Sequence, residues 1–146
     1  MSVTISGNSN IVLQVVQGTI SGQGSTTSTS YTDTGLTVSI TPTSSSSKVL
    51  VLVNLNGCLT LNGSTAMLVD LLRGSTSVCK FGEAGLNGGT NRNDFGDFAV
   101  SFLDSPATTS STTYKVQAKS SGGGQVYWCN QTNNSISTIT VLEIAA

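Results

Sequence analysis

The chain contains no histidine. That absence removes Ser-His-Asp and Cys-His nucleophilic catalysis and any zinc site that needs an imidazole. Cysteine is sparse: Cys58, Cys79 and Cys129 lie far apart and show no C-x-x-C spacing. They read as small buried hydrophobes in a reducing compartment, with a single disulfide as the other reading. Charged residues make up only 9% of the chain, against about 25% in an average soluble protein. The net charge is −1 and the basic residues are scattered, the densest pair being Lys115 and Lys119. A phosphate-binding surface needs clustered Lys and Arg, so no nucleic-acid partner is expected. No apolar run approaches the ~20 residues of a membrane span, so no membrane insertion is expected. The first residues, MSVTISGNSN, lack the basic region and apolar core of a signal peptide, which points to synthesis in a cytoplasm. There is no P-loop, and the glycines Gly122 to Gly124 read as a turn because no helix follows them. No cofactor is implied.

What the chain does have is Ser, Thr, Gly and Asn between blocks of aliphatic residues. Disorder goes with low hydrophobicity and high charge. Here hydrophobic residues reach 37% and mean hydropathy is positive, so an ordered, β-rich protein is expected. A length of 146 residues fits one domain, 1–146, with residues 1–10 as an N-terminal arm. The organising stretch is Lys48 to Leu61, KVLVLVNLNGCLTL, preceded by Pro42 and a run of serines and interrupted by Gly57. Around it the period-two pattern predicts strands at 11–16, 36–40, 66–73, 78–81, 95–103, 114–118, 125–129 and 136–145. Gly18 to Ser30 reads as a loop or weak edge strand, Thr32 to Gly35 as a turn, and Gly122 to Gly124 as a hairpin turn. Short strands at close intervals without a convincing helix mean an all-β, antiparallel sandwich, and a jelly roll is expected.

Several strands are apolar on both faces. In 48–61, Val49, Val51, Val53 and Leu55 oppose Leu50 and Leu52; in the last strand, Ile139 and Val141 oppose Leu142 and Ile144. In a monomeric sandwich only the inner faces meet. The second apolar face is therefore assigned to sister subunits, as a homo-oligomer and most simply a trimer, with Val49, Leu50, Val51, Leu52, Ile139, Val141 and Leu142 as interface residues. Surface β-branched residues are the other explanation of the excess.

Few residues suggest chemistry. Asp94 and Asp97 are close in sequence, but a loop-and-strand pair of carboxylates is usually solvated rather than catalytic. Asn91, Asn93, Asp94 and Asp97 offer oxygen ligands without the spacing of a calcium loop, so no metal site is assigned. The Asn-x-Ser/Thr triplets at Asn62, Asn130 and Asn133 are expected by chance in a chain so rich in Ser and Thr. Trp128 lies beside Tyr127 in QVYWCNQTNN. An aromatic platform next to the amides of Asn130 and Asn133 would suit a host-surface glycan, whose C–H face stacks on a ring. The competing reading is a tryptophan packed into the sandwich. Gly82 to Asp94 and Asn130 to Asn134 are candidate binding loops.

The segments ISGNSNIVLQVV, YTDTGLTVSITPTSSSSKVLVLVN, LLRGST, SFLDSPATTSSTTYKVQAKSSGG and STITVLEIAA together resemble a β-rich domain of virion structural proteins from cyanophages and related tailed bacteriophages. The resemblance implies a fibre-like or surface-exposed virion protein without enzymatic activity, trimeric, made in the host cytoplasm and placed on the virion surface. The strand plan also resembles the jelly roll of C1q and tumour-necrosis-factor heads, a likeness of fold alone. In that family the domain often ends a longer chain that anchors it to the particle. Here Met1 stands ten residues before the first strand, and no shaft is expected. Two roles follow: a fibre-type adhesin presenting the two loops and Trp128 to a glycan, or a capsid decoration protein gripping other virion proteins through its N-terminal arm.

Overall fold

The computed structural model describes residues 11–61, 65–84, 94–129 and 135–146. Ten strands occupy them: β1 (Val12–Ile20), β2 (Gly24–Thr26), β3 (Thr32–Ile40), β4 (Lys48–Thr60), β5 (Met67–Arg73), β6 (Thr76–Ala84), β7 (Asp94–Asp104), β8 (Thr112–Ser120), β9 (Val126–Trp128) and β10 (Ser137–Ile144). One sheet runs β1-β10-β4-β9-β2 with β7 on the other edge of β4, and the second runs β3-β8-β5-β6. The pairs β1·β10, β3·β8, β4·β7 and β5·β6 are all antiparallel. Leaving aside the three-residue strands β2 and β9, the first long strand pairs with the last, the second with the next-to-last, and so inward. That is a single long hairpin wound into two sheets, the jelly roll expected from the sequence.

β4 is the hub. Its first half pairs with β10, its last residues with β9, and its opposite edge with β7 along almost its whole length. Its inner residues Val49, Val51, Val53 and Leu55 are buried between the sheets against Leu36, Val38 and Ile40 of β3, Met67, Val69 and Leu71 of β5, and Tyr114, Val116 and Ala118 of β8. In each strand these residues alternate with outward ones, as the pleat requires. Gly57 does not end the strand. It sits at positive φ where the β4·β7 register slips, and its N–H donates to the Asp97 carboxylate at 2.7 Å. The left-handed conformation is open to glycine at little cost, so the strand passes through a bulge and continues.

Three other expectations change. β1 continues past Val16 to Ile20. The stretch Thr32 to Gly35 is a bulge inside β3 rather than a turn, and its broken ladder is repaired by side chains: Thr34 Oγ1 donates to the Val116 carbonyl and Thr37 Oγ1 to that of Tyr114. The Gly122 to Gly124 segment is not a hairpin turn, because β8 and β9 belong to different sheets; the chain crosses there from one layer to the other. The N-terminal arm, Asn62, Asn91, Asn93 and most of both candidate loops lie outside the described residues.

Two buried carboxylates, both opposite Val49 of β4, fasten one end of the sandwich. Glu143 has no exposed surface. It accepts hydrogen bonds from Gln14 Nε2 of β1 at 2.6 Å and, at 2.7 and 2.8 Å, from the N–H and hydroxyl of Thr43 in the β3–β4 connection. Burial works against its charge, but these donors outweigh it and hold the pKa at about 2. Asp104, at the end of β7, takes Arg73 Nη1 at 2.8 and 2.9 Å and the Tyr114 hydroxyl at 2.7 Å, joining the two sheets. Burial and that carboxylate push the Tyr114 phenol well above its usual range.

The Glu143 pKa sets a pH dependence. A folded value of about 2, below the ordinary 4.5, means that the native state prefers the carboxylate. This contribution to stability is complete above pH 4.5 and is lost as pH falls toward 2. Replacing Glu143 with Gln is expected to cost about 2 kcal/mol at neutral pH, with the difference from wild type shrinking on acidification. Denaturant unfolding of both proteins at several pH values between neutral and 2 checks this, and a pH-independent difference would contradict it.

Candidate interaction surfaces

The structure separates the residues that the sequence grouped around Trp128. Consecutive residues of a strand face opposite ways, so Trp128 and Tyr127 of β9 cannot share a platform. Trp128 points inward and is 4% exposed, with its indole N–H donated to the Thr34 carbonyl at 3.0 Å. Gly24 of β2 lies directly against the indole; a Cβ there would come within 2.3 Å of the ring. Burial therefore removes Trp128 as a sugar-stacking residue and makes it a wedge closing one end of the core. Tyr127 is half-buried, opposite Ser25 and Leu59. Asn130 and Asn133 lie outside the described residues.

The seven interface residues split in the same way. Val49, Val51, Ile139 and Val141 face the other sheet and are fully buried within the chain. They belong to the core and cannot meet a partner. Leu50, Leu52 and Leu142 face outward. The register shows what they join: Val15 stands opposite Leu142, Leu142 opposite Leu50, and Leu50 opposite Leu103. These four aliphatic side chains form one row across β1, β10, β4 and β7, roughly 14 Å long at the usual strand spacing. Val15 and Leu103 at its ends are 58% and 57% exposed. Val12 opposite Ile144 flanks the row on one side, and Leu52 on the other. No single strand's alternation reveals that Val15 and Leu103 belong to this row; only the pairing register does.

Charge is distributed unevenly between the layers. Among the described residues of the outward β1-β10-β4-β7 face, only Lys48 and Asp97, at opposite ends, are charged. The outward face of the second sheet is polar. There Asp33 accepts from Gln117 at 2.7 Å and Lys115 at 3.1 Å, and these two bonds, Gln117's the larger effect, hold its carboxyl below the usual range.

The remaining groups of chemical interest are structurally engaged or shielded. Cys58 and Cys129 are buried and Cys79 partly so, all as free thiols, and burial pushes Cys58 up to about 12, where it is a poor nucleophile. Asp97 is engaged with Gly57 N–H. Among the described residues no group of three or more His, Cys, Asp or Glu comes together in a way that could hold a metal ion.

No protein-family model matches the chain, and no curated protein matches it. Among solved structures, one that matches is the structure of the infectious bursal disease virus Gx strain, at 14% identity and a TM-score of 0.29. The match covers all of this chain but 43% of that one, so the chain spans less than half the length of its structural neighbour.

The wedge role of Trp128 predicts a purely structural phenotype. Trp128→Ala is expected to lower unfolding free energy by about 3–5 kcal/mol, and Gly24→Ala to destabilise through the clash with the same ring. Thermal or denaturant unfolding checks both; a Trp128→Ala protein of wild-type stability would refute the packing described.

Proposed function

We propose that the chain is a non-enzymatic structural protein on the exterior of a tailed-phage virion, acting as an oligomeric, fibre-type head. The observation that carries this reading is the row Val15, Leu142, Leu50, Leu103. A monomer that leaves such a row in water forgoes its burial, and large exposed apolar patches on soluble proteins mark contact surfaces. Burying each of these side chains contributes roughly 1 kcal/mol, the favourable term that association through this face draws on. The nearly uncharged apolar face suits burial against further copies of the chain arranged around a rotation axis. The resemblance of the sequence to cyanophage virion domains supplies the context.

A decoration protein of the capsid is the second reading. It is favoured by the same face, which extends across a whole sheet and could lie against a different virion protein. The location and copy number of the chain on intact particles, seen by electron microscopy, separate the two roles: sparse copies on tail fibres support the head, and a regular lattice over the shell supports decoration.

Assembly is tested on the isolated chain. Sedimentation at micromolar concentration is expected to show a trimer, and Leu50→Asp or Leu103→Asp to give a monomer whose thermal unfolding, judged by its outward position, stays near wild type. A wild-type monomer at those concentrations, or an oligomer indifferent to both substitutions, would overturn the homo-oligomeric reading.

A further inference from the structure

The second sheet carries a recess that none of the foregoing uses. β5 and β6 slip register between Val69 and Asp70, and Phe81 falls in the slip between Gly82, opposite Val69, and Lys80, opposite Asp70. The distortion leaves a cavity of about 280 Å³ lined by Tyr31, Leu68, Val69, Lys80, Phe81, Gly82 and Glu83. Gly82 is required there: a Cβ would meet the Phe98 ring at 2.5 Å. The lining thus combines two aromatic rings and a leucine with one ammonium and one carboxylate.

The charges decide what kind of ligand this lining fits. Lys80 on the rim and Lys119, whose ammonium lies 4.9 Å from the centroid of the Tyr31 ring, are balanced by Glu83 and by Asp70. Both carboxylates act on the Tyr31 phenol and, with its burial as the larger cause, raise its pKa, so that it remains an O–H donor. With no net charge, the recess does not favour phosphate or another anion. The cation position over Tyr31 is already taken by Lys119. A wholly apolar ligand would strip water from Lys80 and Glu83 without replacing their hydrogen bonds. A neutral ring with an apolar face and a hydroxylated edge meets each demand. The volume lies just below the ~300–1,000 Å³ of sites for drug-sized ligands, which suits one ring rather than a chain of them.

We propose that the recess between Tyr31, Phe81 and the Lys80–Glu83 rim binds one neutral sugar ring, stacked on the aromatic side chains and hydrogen-bonded by Lys80, Glu83 and the Tyr31 hydroxyl. It lies on the sheet opposite the apolar row and does not depend on assembly through that row. It deepens the fibre-head reading by giving the head a site for a glycan unit where Trp128 offers none.

Saturation-transfer NMR on the full chain, with glucose, galactose, N-acetylglucosamine, glucuronate and inorganic phosphate as probes, tests it. At least one neutral sugar is expected to bind, with a dissociation constant on the order of 1 mM. Tyr31→Ala and Glu83→Gln should each weaken that binding about tenfold or more while leaving thermal unfolding unchanged, and Tyr31→Phe should retain most of it. Leu50→Asp should bind as wild type does, which separates failure of the recess from failure of the assembly surface. Binding by none of the neutral sugars, equal binding of phosphate, or binding that survives Tyr31→Ala would each overturn the proposal.

Discussion

The fold depends on one buried stripe, the inner face of β4. Val49, Val51, Val53 and Leu55 present branched aliphatic surface to the second sheet. The strand can afford to be so apolar because its backbone is paired on both edges, by β7 on one and by β10 and β9 on the other. The apolar inner residues of β3, β5 and β8 share one core with it. Remove that stripe and neither sheet has a partner, since a single half-apolar sheet is not stable in water. Gly57 and Asp97 let the strand bulge while keeping its pairing with β7, so one uninterrupted element can serve both ends of the first sheet.

The buried polar groups refine this arrangement. Glu143 and Asp104 are each saturated by donors from other elements, so both carboxylates add fixed geometry without being left unpaired. Glu143 ties the last strand to the first and to the connection entering β4; Asp104 ties β7 to β5 and β8. Trp128 closes a third point by reaching from β9 to the carbonyl of Thr34. The wound hairpin is thereby pinned where its strands change layer, where hydrophobic contact alone fixes orientation least.

The two outward faces then divide the work. The β1-β10-β4-β7 face is nearly uncharged and carries a row of aliphatic side chains in register, the character of a surface made to be covered. The β3-β8-β5-β6 face is dressed with Lys115, Gln117 and Asp33, the character of a surface that stays in water, and it carries the aromatic recess beside the β5–β6 slip.

Alternation in the sequence determined the strands, the all-β class and the inner faces of β3 and β8, whose opposite faces are polar, because a period of two is a local property that each segment carries by itself. The same pattern announced the surplus of aliphatic residues on the outward side of β4 and β10. It could not sort Leu50, Leu52 and Leu142 from Val49, Val51, Ile139 and Val141, since which side faces the other sheet depends on what the strand pairs with. Nor could it show that Val15 and Leu103 complete a row, that Trp128 turns inward, or that Tyr31 and Phe81, 50 residues apart in the chain, line one recess. Those relations are set by strand register and by the winding of the hairpin. Both follow from long-range pairing, and only the tertiary structure decides them.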